Sequence, residues 1–294
     1  MKLGIKYMMV VLAVIGTCSC DDNLEVFEVT GSSAAPVTVE NIRSEALPGQ
    51  ILLRWDVPAG ADYQYVQVKY TDPLLNEDVY RIASLGTDSL LIDNTRARFG
   101  EYEFRFQSFN YYNEGGEVKT VKAVSGKAPA TETVTLKKIP LTESQLSSNY
   151  PEPTEGPIKN LLDGDVNTFF HTRWSSPQYD MPHYIQVDLN EPHENFCFYY
   201  QNRNGSQVGA QTLEVQISSD GENWETIETI SSGLPSGSKE EYTSEVFKPG
   251  KTFTHFRYNV VKTYGDAKYF NMAEFILYDA RIDIYDPETV ELEY

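Results

Sequence analysis

Helical periodicity is almost absent from this 294-residue sequence. Apolar residues do not recur at the three- and four-residue spacing of an amphipathic helix. Short alternating apolar and polar runs recur instead at intervals of roughly eight to twelve residues, separated by Gly, Pro, Asn and Asp. This pattern excludes a helical bundle and predicts an all-β protein built from β-sandwiches, and a chain of this length is sufficient for two of them.

Cysteine is also scarce, with three residues in the whole chain. Cys18 and Cys20 lie together near the N-terminus, which leaves Cys197 without a partner for an intrachain disulfide. Because Cys197 lies in the aromatic run Phe-Cys-Phe, we expect a buried, unreactive core thiol.

Recognised catalytic and nucleotide-binding motifs are missing as well. The chain has no G-x-S-x-G, H-E-x-x-H, G-x-x-x-x-G-K-[ST] or G-x-G-x-x-G, so the sequence predicts a protein without catalytic residues. Its 43 Asp and Glu exceed its 24 Lys and Arg, for a net charge of −19. This surplus argues against nucleic acid and anionic lipid as partners, although it leaves room for the paired carboxylates of a glycosidase.

The N-terminus has the pattern of an export signal. Lys2 and Lys6 precede an apolar run, Tyr7 to Ile15, which is shorter than the ~20 residues that cross a bilayer. The small residues and cysteines that follow resemble a bacterial lipobox, with Cys20 favoured over Cys18 for acylation. The following Asp-Asp-Asn resembles the acidic start of surface lipoproteins of gut Bacteroidetes. We therefore expect a signal peptide at 1–19, an acylated tether at 20–35, and a location on the outer face of the outer membrane, with the lipid as the only membrane contact.

The first domain is predicted at residues 36–127. Trp55 ends one alternating strand, and Tyr102, Phe104 and Phe106 alternate with charged residues in a later one. This arrangement resembles fibronectin type III domains, with the Trp of the second strand and the corner tyrosine of the penultimate strand. The resemblance implies an immunoglobulin-like sandwich in which Trp55 and Tyr102 are core residues.

The second domain is predicted at residues 138–280, followed by a C-terminal tail at 281–294. Ordered landmarks are the Asp-Gly-Asp loop that ends at Thr168, the strand "HYIQVDL", the hairpin "SSDGENW" and the closing "AEF". In this order they resemble a discoidin-like domain, the coagulation-factor C-type, galactose-binding-like module. The resemblance implies a jelly roll that binds ligands through loops at one end. Phe170 departs from the family, in which many members carry Trp.

The Asp163-to-Thr168 loop is a candidate calcium site. It carries oxygen donors at alternate positions, and hard oxygen ligands are those that Ca²⁺ prefers. The resemblance implies that a glutamate of the closing strand completes a structural ion. The expected ligands are Asp163, Asp165, Thr168 and Glu274, with backbone carbonyls near Leu162 and Ala273. An Asx turn, in which Asp163 caps its own loop, is the alternative.

The residues that follow this loop suit a sugar. His171, Arg173 and Trp174 combine an aromatic face with polar donors, and the C–H face of a pyranose stacks on a ring while planar donors take its hydroxyls. Arg203 at the end of another strand and Tyr264 in a late Tyr-Gly-Asp loop are expected to converge on the same rim. Alternatively, Trp174 plugs the sandwich and His171 satisfies a buried turn.

Together these features predict a cell-surface glycan-binding lipoprotein that captures carbohydrate without turnover, as part of a polysaccharide uptake system. Two alternatives stay open: a non-catalytic interaction module that docks other outer-membrane uptake components, and an enzyme with unrecognised carboxylates.

Overall fold

The computed structural model describes residues 31–291. The predicted signal peptide, the cysteine predicted to be acylated and most of the predicted tether therefore lie outside the described residues. Two compact units are present, with the boundary between Ala128 and Pro129, and both are built from β-strands with a few short 3₁₀ turns. The all-β prediction is thus confirmed. No helix among residues 31–291 is long and apolar enough to cross a membrane.

The first unit is a sandwich of a three-stranded sheet, β1-β2-β5, and a four-stranded sheet, β4-β3-β6-β7. Alternation of buried and less buried residues in the strands β2, β3 and β6 builds much of its core, because successive strand residues point to opposite faces. Its strands are β1 (Glu40–Leu47), β2 (Gln50–Asp56), β3 (Tyr65–Asp72), β4 (Glu77–Ser84), β5 (Ser89–Ile92), β6 (Glu101–Phe109) and β7 (Lys119–Val124), with a 3₁₀ turn at Ala97–Phe99.

Trp55 and Tyr102 are core residues of this unit, as predicted. Trp55 is buried and its ring meets Phe106 edge-on at 5.5 Å. The buried Tyr102 hydroxyl accepts from the Arg96 amide at 2.8 Å and donates to the Arg96 carbonyl at 3.2 Å. This side chain therefore ties the start of β6 to the chain just before it.

The second unit packs a five-stranded sheet, β14-β13-β16-β11-β9, and a four-stranded sheet, β15-β12-β18-β8, around one aromatic core. Its 3₁₀ turns are Glu143–Gln145, Ile158–Leu162 and Tyr264–Asp266. Its strands are β8 (Thr131–Lys138), β9 (Leu146–Ser148), β10 (Phe170–His171), β11 (His183–His193), β12 (Phe196–Gln201), β13 (Ala210–Ser218), β14 (Glu225–Ile230), β15 (Glu241–Thr243), β16 (Phe253–Thr263), β17 (Asn271–Met272) and β18 (Glu274–Tyr285).

Strand β12 carries much of this core. Phe198 and Tyr200 point inward and meet the rings of Phe256 and Tyr258 from β16. Cys197 is buried and free among the described residues, as expected, and burial raises the pKa of its thiol.

The second unit extends beyond the predicted limits of 138–280. Strand β18 continues to Tyr285, within the segment predicted as a tail, because it pairs in register with β8, from Tyr278 with Lys138 to Tyr285 with Thr131. Every residue of β8 is exposed, and Val134 and Leu136 are its only apolar residues. The pairing with β18 shows that both segments are strands of one sheet.

Candidate functional site at one end of the second unit

A two-stranded ribbon forms the base of the candidate site. Phe170 and His171 of β10 pair with Met272 and Asn271 of β17. The ring of Phe170 is fully buried, and its centroid lies 6.1 Å from that of Phe270. Because adjacent strand residues point to opposite faces, His171 lies on the other face of the ribbon, toward the loops. Phe170, the position that departs from the discoidin-like pattern, is thus a core residue.

His171 lies at the centre of the candidate site and is 4% exposed. Its Nδ1 lies 2.6 Å from the Thr172 carbonyl, which only accepts, so Nδ1 carries the proton. Burial lowers the pKa of His171, and the neutral ring therefore presents the lone pair of Nε2. Gly156 packs closely against the backbone of His171, whose amide donates to the Gly156 carbonyl at 3.1 Å: the φ of Gly156 is +62°, and a Cβ there would lie 2.8 Å from the backbone nitrogen and Cβ of His171.

Two aromatic rings flank His171. Trp174 has its centroid 6.5 Å from the imidazole and is 44% exposed, so it does not plug the sandwich. Tyr269 lies 5.1 Å from His171 on another loop. We call the set of Phe169, His171, Trp174, Arg203 and Tyr269 the rim cluster.

Arg203 enters the rim cluster through Phe169. Its guanidinium lies 3.4 Å from the centroid of the Phe169 ring, and its charge contributes to the lowered pKa of His171. The Arg203 Nε is buried without a hydrogen-bond partner anywhere in residues 31–291. Next to it, the Asn204 amide donates to Asn167 at 2.9 Å, which connects this loop to the Asp163-to-Thr168 loop.

A buried carboxylate, Glu152, holds the loop that carries Trp174. It accepts from the amides of Trp174 at 3.2 Å and Ser175 at 3.1 Å, and from the hydroxyls of Ser175 and Thr154 at 3.1 and 2.9 Å. Burial alone would raise its pKa, but these hydrogen bonds outweigh burial and lower the pKa to about 2. The ionised Glu152 therefore stabilises the backbone conformation of the segment that carries Trp174.

Arg173 and Tyr264, which were predicted to lie on the same rim, are not members of the rim cluster in the structure. The Arg173 guanidinium lies 5.9 Å from the ring of Tyr179. The Tyr264 hydroxyl donates to the Leu234 carbonyl at 2.7 Å, so this residue anchors its loop. The residue of that loop that reaches His171 is Tyr269.

Three of the four predicted calcium ligands converge. Thr168 donates to Asp163 Oδ2 at 2.7 Å, and the carboxyl of Glu274 interacts with Asp163. The side chain of Asp165 instead accepts from Asn167. Asp163 Oδ1 accepts from the Asp165 amide at 2.9 Å, so the Asx turn considered as the alternative is present.

This acidic cluster has spare acceptor capacity. Glu274 Oε1 is buried and has no hydrogen-bond partner in the described part of the chain. Burial, with the adjacent carboxylate of Asp163, raises the pKa of Glu274 to about 7, since a proton would relieve the unpaired charge. A bound cation would do the same, and the donors are the hard oxygens that Ca²⁺ takes. No group of three or more His, Cys, Asp or Glu side chains among residues 31–291 is arranged as a metal site.

Comparison with known proteins identifies the domain around this site. Residues 142–275 match the family model of the F5/8 type C domain. The second unit contains an F5/8 type C domain. The discoidin-like resemblance is thereby confirmed for this part of the chain.

Two larger proteins match part of this chain. A sialidase of Micromonospora viridifaciens is 30% identical over 113 residues, 36% of this chain and 17% of the sialidase. An A type blood N-acetyl-α-D-galactosamine deacetylase of Flavonifractor plautii is 36% identical over 63 residues, 21% of this chain and 8% of that enzyme. The chain thus spans less than a fifth of either relative.

Among solved structures, the module CpGH89CBM32-5 of Clostridium perfringens, in complex with GalNAc-β-1,3-galactose, is similar to this chain. The TM-score is 0.41 and the identity 24%, with 48% of this chain and 99% of the module covered.

Phe169, Tyr269 and Glu152 were missed by sequence reasoning. Phe169 stands two residues before His171, immediately before β10, and its ring lies 6.2 Å from the imidazole; continuing the period-two alternation of β10 back by one residue could have identified it. Tyr269 and Glu152 reach the site only through tertiary folding.

Proposed function

We propose that this chain is a cell-surface glycan-binding lipoprotein that captures carbohydrate without turnover as part of a polysaccharide uptake system. The observation that carries the proposal is the rim cluster, in which the exposed ring of Trp174 stands beside the neutral imidazole of His171, and the half-buried Arg203 completes the cluster. These groups supply the apolar face, the acceptor and the donors that a pyranose requires.

Each group has a distinct role in this proposal. The indole of Trp174 stacks on the C–H face of the sugar. His171 Nε2 accepts from a sugar hydroxyl, since Nδ1 is already committed to the Thr172 carbonyl. Arg203 donates to sugar oxygens while Phe169 supports its plane. Glu152 and the Asn204–Asn167 hydrogen bond fix the loops before the sugar arrives, which lowers the entropic cost of binding.

A structural calcium ion belongs to the same proposal. Asp163, Thr168 and Glu274 would hold the ion. Asp165 would be a further ligand if its side chain rotated away from Asn167. The unpartnered Glu274 Oε1 and the raised Glu274 pKa support an ion at this position. The ion would stiffen the loop that leads into Phe169 and His171.

The remaining parts of the chain serve as anchor and spacer in this proposal. Cys20 carries the acyl chains on the outer face of the outer membrane. The first unit is a fibronectin type III-like spacer, and its three-on-four strand order and the Tyr102–Arg96 hydrogen bonds support that assignment. Display of many copies on one surface would raise avidity for a polymeric glycan.

A glycan array probed with the lipid-free chain, residues 21–294, tests the proposal. We expect specific binding, and Trp174→Ala should abolish it. Tyr285→Ala is the matched control, because Tyr285 is similarly exposed at 51% but stands at the opposite end of β18 from Glu274. Absence of binding by the folded parent chain would refute glycan capture and favour an interaction module that docks other uptake components.

A further inference from the structure

A second aromatic platform lies beside the rim cluster. The rings of Tyr150 and Tyr179 stack with centroids 4.1 Å apart and planes 9° apart. Tyr150 is held from behind by the buried His183, at 5.1 Å, while Tyr179 is 36% exposed. Because Tyr150 backs it, the exposed ring of Tyr179 is held in one orientation.

A guanidinium with unused donors stands next to this platform. Arg173 lies 5.9 Å from the Tyr179 ring, and its backbone amide donates to the Tyr150 carbonyl at 2.8 Å. Its Nε is buried without a partner in the described chain, and its Nη2 makes a long contact of 3.5 Å with the Ser176 carbonyl. Since a buried donor without a partner is costly, the side chain is suited to a ligand that supplies oxygen atoms.

The platform is continuous with the rim cluster. Arg173 directly precedes Trp174, and Gln178 donates to the Trp174 carbonyl at 2.7 Å. Asp180 forms an ion pair with Lys268 at 2.7 Å, which joins the Tyr179 loop to the loop that carries Tyr269. Two aromatic surfaces, each with an arginine, therefore lie on adjoining loops.

We propose that Tyr179, backed by Tyr150 and accompanied by Arg173, is a second sugar subsite, so that the ligand is an oligosaccharide of at least two units. This inference rests on the proposed function of the rim cluster. One saccharide occupies the rim cluster, and the next unit of the chain stacks on Tyr179 and accepts hydrogen bonds from Arg173. Cell-surface capture of a polymer would then favour chains over free monosaccharides.

The test compares monosaccharides with chains that end in the same unit. An array carries galactose, N-acetylgalactosamine, glucose, N-acetylglucosamine and sialic acid, each alone and as the end of chains of two to four units, and calorimetry then measures the best pair. We expect the protein to bind the oligosaccharide about tenfold more tightly than the monosaccharide that forms its end unit, as for one added stacking and hydrogen-bonding contact. Tyr179→Ala should remove that increment and leave monosaccharide affinity unchanged, whereas Tyr179→Phe should retain most of it.

The outcomes separate the two proposals. Two results would overturn the second subsite and leave glycan capture standing. One is equal affinity of the parent protein for the oligosaccharide and for its end unit, and the other is unchanged affinity of folded Tyr179→Ala for the oligosaccharide. Equal weakening of both ligands by folded Tyr179→Ala would also overturn it, because the residue would then act on the rim cluster. No binding by the parent to any glycan would overturn both.

Discussion

Replacement of Glu152 by Gln tests whether a buried charge organises the binding loop. Glutamine has nearly the same shape, and its carbonyl oxygen can still accept from the amides of Trp174 and Ser175. Its NH₂ group then faces the hydroxyls of Thr154 and Ser175, which can rotate to accept. The substitution therefore removes the charge while leaving the packing nearly intact.

The magnitude follows from the hydrogen bonds that lose their charge. Hydrogen bonds to charged groups contribute about 1.5–3 kcal/mol and neutral ones about 0.5–1.5 kcal/mol, so each weakened bond costs about 1 kcal/mol. With the amides of Trp174 and Ser175 and the hydroxyls of Thr154 and Ser175 affected, the free energy of unfolding of the second unit should fall by about 3–4 kcal/mol. Loosening of Trp174 adds about 0.5–1.5 kcal/mol to the cost of binding, which predicts about a threefold to tenfold loss of glycan affinity.

Urea denaturation of the lipid-free chain and calorimetry with the best array glycan measure both effects. Exposed Glu143 on the same unit supplies the control substitution, Glu143→Gln, which should change neither. An unchanged unfolding midpoint and unchanged affinity in Glu152→Gln would refute the role assigned to the charge.

The pH dependence gives an independent check on Glu152. Because its pKa in the folded protein is lowered to about 2, its stabilising effect is complete above the ordinary carboxyl value near 4.5 and is lost as the pH falls from there toward 2. The difference in stability between the parent and Glu152→Gln should therefore be constant from pH 7 to 5 and shrink below pH 4. A difference that stays constant down to pH 3 would contradict the lowered pKa.

Three further predictions concern the glycine contact, the ion and the anchor. Gly156→Ala should destabilise the second unit by about 1–3 kcal/mol and weaken glycan binding, because its Cβ would displace His171; Gly233→Ala, with a similar φ and open space around it, should cost less and spare binding. Ca²⁺ should add about 2.7 kcal/mol to the free energy of unfolding of the EDTA-treated chain at a hundredfold excess over Kd, and its melting temperature should rise accordingly. Glu274→Gln should abolish that rise. A melting temperature that changes with neither Ca²⁺ nor EDTA would count against the ion. Cys20→Ala should prevent palmitate labelling and release the protein from the membrane, whereas labelling that is lost only in Cys18→Ala would assign the anchor to the other cysteine.

Local pattern was sufficient for much of the fold and part of the candidate site. Period-two alternation in β6 directed Tyr102 inward, since side-chain direction in a strand depends only on position, and the resemblance to fibronectin type III domains implied that Trp55 and Tyr102 are core residues. His171 and Trp174 were predicted because they follow the Asp-Gly-Asp loop, and Arg203 because it ends another strand, and the structure brings them into one cluster. These residues follow short segments whose register is specified locally.

Pairing between distant segments could not be read in the same way. Glu152 reaches Trp174, and Tyr269 reaches His171, only because separate loops meet at one end of the sandwich. Within the Tyr-Gly-Asp loop the sequence does not show which tyrosine turns inward, and the structure uses Tyr264 as an anchor and Tyr269 as the contact. In the segment after residue 280, Ile282 and Ile284 alternate with charged residues, but the partner strand β8 lies far earlier in the sequence, so the pairing was missed.

The long strand β18 has a practical consequence for handling the second unit. It starts at Glu274, beside the acidic loop, and its twelve residues extend roughly 40 Å to Tyr285, where it pairs with Thr131 at the start of β8. The start of the first strand, β8, and the end of the last strand, β18, therefore lie side by side, at the end of the unit opposite the binding loops. A sensor chip or a fluorescent protein attached to the isolated unit through either terminus would leave those loops pointing away from the attachment, so either end is suited to immobilisation.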